Sequence, residues 1–328
     1  MKLWLLTYLI GRRVILNYFE GVKAMQLKPI NQQVVALVGA SSGIGRNAAL
    51  QFANRGAKVV VAARSQPGLE SLVEEIRGLG GEATAVVADV TVFDQVKAIA
   101  DKAVEVYGRL DTWVHNAAVE LYAAFEVTTP EEFKRIVDVN LMGQVHGAMA
   151  ALPYLKREGR GALIHVSSIE ARRSLPLQSA YAAAKHGIDG FLEALRVELM
   201  HEKLSISVTN IMPASINTPL FNKARTKLGV KPVGVPPIYQ PSLVAKAIVE
   251  AAENPKRDIV VGDAGKAILF AQRISPGLVD AYMRATAFNG QRTNEPKSEN
   301  APDNLFDPIP GYDKIEGDFK DQARSWSL

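Results

Sequence analysis

The sequence VVALVGASSGIG at residues 34–45 joins an apolar, β-branched run directly to a glycine-rich loop. Gly39, Gly43 and Gly45 have the spacing G-x-x-x-G-x-G. Glycine permits a tight turn and lets a diphosphate approach the backbone, and free N–H groups at the start of the following helix complement negative charge. The stretch therefore predicts a strand, a phosphate-binding loop and a helix, in that order.

The same alternation of strand and helix continues along the chain. Apolar runs predict strands at 34–40, 58–64, 83–89, 110–117, 161–168, 204–213 and 257–263. Helix-length segments lie between them at 45–55, 67–79, 93–107, 130–157 and 180–202. Near-continuous apolar strands alternating with helices are typical of a parallel sheet covered on both faces. We predict the α/β fold with a doubly wound parallel sheet, the Rossmann fold, which binds ligands at the carboxyl ends of its strands.

The predicted catalytic domain, residues 33–263, leaves extensions at 1–32 and 264–328. The first extension begins MKLWLLTYLIGRRVILNYFE, whose uninterrupted apolar run at 3–10 is too short to span a bilayer. It is not followed by a small-residue cleavage site, so it does not indicate a removable signal peptide. Its basic and apolar side chains suit a helix that lies at a membrane surface. The alternative is an extra helix packed on the protein or on a second subunit. We expect a cytoplasmic protein with peripheral membrane contact through this extension.

Two parts of the chain break the pattern, one before the last predicted strand and one after it. Residues 214–240, which contain four prolines, predict a mobile lid over the site or a passive surface loop. Beyond Gly265, KAILFAQRISPGLVDAYMRATAF predicts one or two amphipathic helices. Residues 289–304 are polar and predict poor order, and LFDPIPGY at 305–312 is expected to strap onto the body of the protein.

The composition excludes several classes of site. The net charge of +4, from 38 basic and 34 acidic residues, gives no indication of nucleic-acid binding. The absence of cysteine excludes disulfides, thiolate metal sites and cysteine nucleophiles. The five histidines show no metal-binding spacing, so we predict no metal.

The end of the second predicted strand bears on the choice of cofactor. Dinucleotide enzymes that prefer NAD usually carry an acidic residue here to hold the ribose 2′-hydroxyl. Ala63 offers no carboxylate, whereas Arg64 offers a bidentate cation suited to a 2′-phosphate. The sequence therefore predicts NADP, the alternative being that Arg64 only caps a surface turn. Asp89, after the third strand, is expected to accept a hydrogen bond from the adenine amino group, or to be a plain turn residue.

The sequence SIEARRSLPLQSAYAAAK at 168–185 combines groups that can move a proton. Tyr181 and Lys185 are four residues apart and share one helix face, and Ser168 follows a strand and can face them across a turn. A tyrosine titrates near 10 in model peptides. A nearby ammonium group and an oxidised nicotinamide ring would both favour the phenolate. The three side chains thus suit acid–base chemistry on a hydroxyl or carbonyl oxygen.

With these residues, the chain resembles the short-chain dehydrogenases/reductases with a single Rossmann domain, over about 33–263. The resemblance rests on GASSGIG, HNAA at 115–118, Asn140, Ser168, YAAAK and IMPASINT at 211–218. It implies interconversion of a secondary alcohol and a ketone by hydride transfer with NADP(H). It also implies a homo-oligomer formed through helices 130–157 and 180–202.

The resemblance implies a role for each matching residue. Asn140, Ser168, Tyr181 and Lys185 would form a catalytic tetrad: Tyr181 as acid or base, Ser168 on the substrate oxygen, and Asn140 holding a water that links Lys185 to solvent. The expected cofactor contacts are Gly39, Ser41, Ser42, Gly43, Ile44, Gly45, Arg64, Asp89, Val90, Asn116, Ala117, Tyr181, Lys185, Pro213, Ile216 and Thr218. Val38, Ala118 and Ala214 depart from the family's usual threonine, glycine and glycine, which bears on fine cofactor geometry.

The substrate is expected to contact Ser168, Glu170, Gln178 and Tyr181. Residues that flank the tetrad in sequence and could complete the wall are Glu120, Phe125, Ile169, Leu220 and Phe221. The apolar N-terminus favours a hydrophobic substrate. One alternative function is a non-catalytic NADP-binding sensor or scaffold. The other is a sugar-nucleotide epimerase or dehydratase, which also uses Y-x-x-x-K but typically with a G-x-x-G-x-x-G loop and a larger C-terminal domain.

Overall fold

The structure, a computed structural model, describes residues 25–327. The amphipathic helix predicted at the N-terminus lies outside the described residues. The strands are β1 (Val34–Val38), β2 (Lys58–Ala63), β3 (Glu82–Val87), β4 (Thr112–His115), β5 (Leu121–Tyr122), β6 (Arg160–Val166), β7 (Ser205–Pro213), β8 (Arg225–Thr226), β9 (Val230–Pro232), β10 (Ile238–Tyr239), β11 (Asp258–Val261), β12 (Arg292–Pro296) and β13 (Ala323–Arg324). The α-helices are α1 (Gly43–Asn54), α2 (Gln66–Gly78), α3 (Phe93–Tyr107), α4 (Pro130–Val137), α5 (Gly143–Arg157), α6 (Ser179–His201), α7 (Leu220–Lys223), α8 (Pro241–Ala251), α9 (Asp263–Ile274) and α10 (Pro276–Gly290).

The central sheet has seven strands in the order β11-β7-β6-β4-β1-β2-β3. Every neighbouring pair in it is parallel. The order reverses at β1, because the chain builds outward first toward β3 and then toward β11. This confirms the doubly wound α/β fold predicted from the alternation of apolar runs and helices.

Alternate residues of the buried strands feed two cores, one on each face of the sheet. In β1, Val34, Ala36 and Val38 belong to the core packed by α3, α5 and α6, whereas Val35 and Leu37 belong to the core packed by α1, α2 and α8. Side chains of a strand point alternately to the two faces. A strand covered on both sides must therefore be apolar at every position, as the sequence of β1 is.

The helix predicted over 130–157 is interrupted. The α4 helix starts with a capping box, in which Glu132 N donates to Thr129 Oγ1 at 3.3 Å and Thr129 N donates to Glu132 Oε2 at 2.9 Å. A π-helical turn at Asp138–Met142 then separates α4 from α5. Such turns often occur at functional sites, and this one contains Asn140.

The segments outside the central sheet are held by short strands. The β9 strand pairs with β12 in antiparallel fashion, β10 pairs with β13, and β5 pairs with β8. Residues 214–240, expected to be a lid or a passive loop, therefore carry α7 and three paired strands. Residues 289–304, expected to be poorly ordered, include β12. The expectations missed these pairings because the partner strands are remote in sequence.

The C-terminal extension packs on the central sheet and its helices. It contains α9 and α10, in the segment for which one or two amphipathic helices were expected. Leu305, the first residue of the predicted strap, is fully buried in the core beside α3, α5 and α6. Between residues 25 and 327, no helix is long and apolar enough to cross a membrane. Within the same residues, no group of three or more His, Asp or Glu side chains could hold a metal ion.

Replacing Leu305 with alanine tests the anchoring of the strap. We expect Leu305→Ala to lower the free energy of unfolding by about 2–5 kcal/mol, because it removes fully buried methyl groups and leaves a cavity. Urea denaturation measures the change. The neighbouring Phe306 is 41% exposed, so Phe306→Ala is the control. It should lower the free energy of unfolding by less than about half as much as Leu305→Ala does. Equal losses would show that Leu305 is not an anchor.

Candidate active site

The glycine loop after β1 is shaped by close backbone contacts. Gly39 has φ +82°, and a Cβ there would lie 2.5 Å from the backbone N of Ala117. A Cβ on Gly45 would overlap the carbonyl oxygen of Gly39. That oxygen also accepts a hydrogen bond from Asn116 Nδ2 at 3.2 Å. The turn therefore requires glycine at both positions and is locked to the segment that follows β4.

The predicted acid–base residues meet where β6 ends and α6 begins. The ammonium nitrogen of Lys185 donates to the carbonyl oxygen of Val166 at 3.1 Å and lies 5.2 Å from the ring centroid of Tyr181. The hydroxyls of Tyr181 and Ser168 are in hydrogen-bonding contact, and Ser168 Oγ accepts from the backbone N of Glu170 at 3.1 Å. All three side chains are buried. One turn of α6 therefore aligns Tyr181 and Lys185 against the end of β6.

Burial sets the protonation of these groups. It raises the pKa of Tyr181 well above its ordinary value, and the carboxyls of Glu120 and Glu170 act in the same direction, whereas the hydrogen bond with Ser168 opposes them. Burial lowers the pKa of Lys185 to about 8, and the same two carboxyls oppose this shift. Without a cofactor, burial thus favours the protonated phenol, and the phenolate expected beside Lys185 and an oxidised nicotinamide ring stays a prediction.

Asn140, in the π-helical turn, contacts the segment after β4. Its Oδ1 accepts from Val119 N at 2.9 Å and its Nδ2 donates to Val119 O at 2.9 Å. The side chain is fully buried and does not border the cleft. Asn140 therefore fixes the backbone next to Glu120. The predicted water between this residue and Lys185 stays a prediction.

One cleft joins the glycine loop to the acid–base residues. Its walls contain every predicted cofactor contact except Gly45, which lies behind the turn. Its other end is bordered by the predicted substrate contacts Ser168, Glu170, Gln178 and Tyr181, with Glu120, Ile169, Leu220 and Phe221. Phe125, expected in the same wall, is 73% exposed and does not border the cleft. It lies in the short 3-10 turn Phe125–Val127.

Arg64 and Asp89 border the cleft but already have partners. The guanidinium of Arg64 donates to the carbonyl oxygens of Phe306 at 2.5 Å and Asn304 at 2.7 Å, so it holds the C-terminal extension. Burial lowers the pKa of Arg64, with the Asp89 carboxylate opposing. Asp89 pairs with Arg135 at 3.0 Å and accepts from both the N and the Oγ1 of Thr91. The bridge from Arg64 to the extension was not expected.

The sequence reasoning missed several residues at the glycine-loop end of the cleft. Lys223 Nζ donates to Ser42 Oγ at 2.8 Å. Burial lowers the pKa of Lys223 to about 8. The Asp313 carboxylate opposes this shift and the Arg64 guanidinium reinforces it.

The C-terminal extension also reaches this end of the cleft. The backbone N of Gly43 donates to the carbonyl oxygen of Lys314 at 2.9 Å. The extension also supplies Asn304, Pro308, Ile309 and Asp313 to the cleft wall. The strap predicted at 305–312 indicated that the extension contacts the body of the protein. No local sequence pattern distinguished Lys223.

The comparison with known families identifies this arrangement. The family described as short chain dehydrogenase matches residues 33–229, more than half of the chain. The chain belongs to the short-chain dehydrogenase family. As a short-chain dehydrogenase, the protein is an oxidoreductase with a nucleotide-binding Rossmann fold.

Relatives of this short-chain dehydrogenase support the assignment. It is 39% identical over 285 residues to the uncharacterized oxidoreductase YxnA of Bacillus subtilis (strain 168), a match covering 86% of this chain and 80% of that protein. The fold is similar to that of a short chain dehydrogenase/reductase from Burkholderia phymatum solved in complex with NAD (TM-score 0.69, 24% identity, 77% and 96% of the two chains). It is also similar to an actinorhodin polyketide ketoreductase variant solved with NADPH (TM-score 0.62, 26% identity, 71% and 96%).

Replacing Gly45 with alanine tests the glycine loop of this short-chain dehydrogenase. We expect Gly45→Ala to weaken binding of NADPH and NADH on the order of tenfold or more, because the added Cβ overlaps the Gly39 carbonyl and displaces the turn. Fluorescence titration of the reduced cofactors measures this. Gly78→Ala in α2 is the control, since a Cβ there meets nothing within 4 Å. Unchanged binding in Gly45→Ala would show that the turn does not hold the cofactor.

Proposed function

We propose that this short-chain dehydrogenase is an NADP(H)-dependent enzyme that interconverts a secondary alcohol and a ketone. The observation that carries the proposal is a single cleft with the glycine loop at one end and the hydroxyls of Ser168 and Tyr181 with the Lys185 amine at the other. A small-molecule substrate at the second end would lie beside a proton donor, within reach of a dinucleotide held at the first.

The residues at the first end fit a dinucleotide. The glycine turn leaves no room for a Cβ and brings its backbone to the cleft. Helix α1 also begins there, with N-terminal N–H groups other than that of Gly43, which donates to the Lys314 carbonyl. Lys223 adds an amine hydrogen-bonded to the Ser42 hydroxyl. These groups would hold the phosphates. When bound, the nicotinamide ring supplies or accepts the hydride.

The proton chemistry follows from the three groups at the second end. Tyr181 donates its hydroxyl proton to the carbonyl oxygen of a bound ketone, while the Ser168 hydroxyl donates a hydrogen bond to the same oxygen and stabilises its developing charge. The Lys185 ammonium then stabilises the phenolate that remains. Because burial raises the pKa of Tyr181, the resting phenol carries the proton that ketone reduction needs.

The preference for NADP rests on the cations at the end of β2. Arg64 uses two of its five N–H donors on the carbonyls of Asn304 and Phe306. Donors remain for a 2′-phosphate. Lys223 lies close enough for Arg64 to lower its pKa, so the two cations reinforce each other's attraction for a phosphate. The Asp313 carboxylate, which lies 3.3 Å from Ser65 Oγ, acts against this preference.

The assembly and location of the protein are also part of the proposal. Met142, Met149, Val197 and Met200 are exposed apolar residues on or beside α5 and α6. Exposed apolar patches are common at protein–protein contacts, which supports a homo-oligomer formed through these helices. A cytoplasmic location with peripheral membrane contact through residues 1–32 is carried forward from the sequence.

Replacing Tyr181 with phenylalanine separates catalysis from cofactor binding. We expect Tyr181→Phe to lower kcat for ketone reduction about 10²–10⁴-fold, because the proton donor is removed. NADPH affinity should change less than about threefold. Loss of NADPH absorbance with a panel of ketones measures turnover, and fluorescence titration measures binding. Equal turnover by the wild type and the variant would exclude Tyr181 as the acid. Cofactor binding without turnover in the wild type would favour a sensor or scaffold.

Replacing Arg64 with alanine tests the choice of nucleotide. We expect Arg64→Ala to weaken NADPH binding about 10- to 100-fold and NADH binding far less, because only NADPH carries the 2′-phosphate that a charge-assisted bond would hold. Arg135→Ala is the matched control, because Arg135 also donates to the extension, at the carbonyls of Leu305 and Phe306. Equal weakening of both cofactors by Arg64→Ala would limit Arg64 to holding the extension.

A further inference from the structure

Two glutamates form the wall of the cleft beside Tyr181. Glu120 lies just before β5, and Glu170 lies in the 3-10 turn Ile169–Ala171 after β6. They are only 3% and 5% exposed, and both border the cleft. In the part of the chain that the structure describes, neither carboxyl has a lysine, arginine or histidine nitrogen within ion-pair distance. Lys185 acts on both only through its charge.

Other deeply buried acidic residues have cations. Glu132 pairs with Arg225 at 3.2 Å and Lys227 at 2.7 Å. Asp111 pairs with Arg109 at 2.7 Å and Lys28 at 3.1 Å. A carboxylate is rarely buried without such a partner, because desolvation of an unpaired charge costs several kcal/mol. Glu120 and Glu170 are the exceptions in this comparison, and they face the substrate end of the cleft.

The neighbours of the two carboxyls are neutral hydrogen-bonding groups. The Tyr122 hydroxyl donates to Glu120. With its amide turned so that Nε2 faces the carboxyls, Gln178 donates to Glu120 and, at 3.0 Å, to Oε1 of Glu170. The backbone N of Leu175 donates to Oε2 of Glu170 at 3.3 Å. These bonds orient the carboxyls without supplying a positive charge.

We propose that Glu120, Glu170, Gln178 and Tyr122 form an acidic pocket that binds an ammonium group on the substrate, which makes the substrate an amino ketone or an amino alcohol. The assignment rests on the proposed function, since it is the reaction at Tyr181 that makes this end of the cleft the substrate end. It replaces the hydrophobic substrate expected from the apolar N-terminus.

The charge balance favours an ammonium over a neutral group. With an ammonium bound and both carboxyls ionised, the two carboxylates, the Lys185 ammonium and the ligand leave no uncompensated charge in the buried site. A substrate hydroxyl leaves the carboxyls protonated and gains only neutral hydrogen bonds, whereas an ammonium forms the stronger charge-assisted bonds to the ionised carboxyls. Neutralising the carboxyls also removes their repulsion toward the phenolate that Tyr181 becomes after donating its proton.

Ionisation of the pocket is coupled to occupancy. Burial raises the pKa of Glu120 to about 8, with the Tyr122 hydrogen bond and Lys185 opposing. Burial and the charge of Glu120 raise the pKa of Glu170 well above its usual range. Glu120 is faced by Tyr122 from β5 and by Glu170 from the turn after β6. It is also faced by Gln178, which precedes α6, and by two residues of the first turns of α6, Tyr181 and Lys185. At neutral pH Glu120 holds a proton, which it must release to pair with a cation.

A binding experiment tests the pocket without turnover. Cyclohexylammonium and cyclohexanol are compared as ligands of the wild-type protein saturated with NADPH or NADH, whichever binds, by isothermal titration calorimetry. We expect the ammonium to bind at least about tenfold more tightly. Glu120→Gln and Glu170→Gln should each reduce that preference about tenfold, whereas Glu126→Gln, at a nearby exposed position, should not. Equal or tighter binding of cyclohexanol by the wild type overturns the proposal and requires no variant to fold.

The pH dependence gives a second readout. Because the cation pairs with the deprotonated form of Glu120, affinity for cyclohexylammonium should rise up to about tenfold per pH unit below about pH 8. A primary ammonium keeps its charge over this range. The affinity for cyclohexanol should not rise, and Glu120→Gln should flatten the ammonium profile. A flat wild-type profile for the ammonium contradicts the assignment of Glu120.

A pair of ketones separates failure of this proposal from failure of the proposed reaction. N-methylpiperidone is cationic when protonated, and methylcyclohexanone is its neutral counterpart. Faster reduction of N-methylpiperidone, with a preference lost in Glu120→Gln, supports both proposals. Faster reduction of methylcyclohexanone supports the reaction and overturns the ammonium site. Selective ammonium binding with no reduction of either ketone supports the pocket and contradicts the alcohol–ketone reaction.

Discussion

The parallel register of β1, β4 and β6 is the constraint on which the site depends. Val38 lies opposite His115, and His115 lies opposite His165, so the three strands end almost level. The glycine loop, the segment leading to Glu120 and the segment containing Ser168 and Glu170 therefore emerge side by side. The pairing also brings Asn116 within hydrogen-bonding distance of the Gly39 carbonyl. A slip of the register would separate the loop from the proton-donating groups.

The C-terminal extension completes the same edge of the sheet. Backbone carbonyls of the extension accept hydrogen bonds from Arg64, Arg135 and the N-terminus of α1. Leu305 is buried in the core, and β12 and β13 are paired with strands of residues 214–240. The extension is thus part of the wall of the cofactor end. If Arg64 holds a 2′-phosphate as proposed, that phosphate would share its guanidinium with these carbonyls.

Burial controls the chemistry at the other end. Burial raises the pKa of Tyr181, Glu120 and Glu170 and lowers the pKa of Lys185. Desolvation disfavours the charged form of every group. A substrate that brings a positive charge would lower the raised pKa values of the two carboxyls. In the proposed ammonium site, substrate binding and proton donation would therefore be coupled through the carboxyls.

Sequence alone was sufficient for the features that depend on local pattern. The strands of the sheet, the glycine loop and the pairing of Tyr181 with Lys185 follow from apolar runs, glycine spacing and helical periodicity. Only the tertiary structure placed Lys223 beside Ser42, gave Arg64 its carbonyl partners, moved Phe125 out of the cleft and left Glu120 and Glu170 without a cation. These features depend on contacts between residues remote in sequence and on desolvation, and neither is encoded in local periodicity.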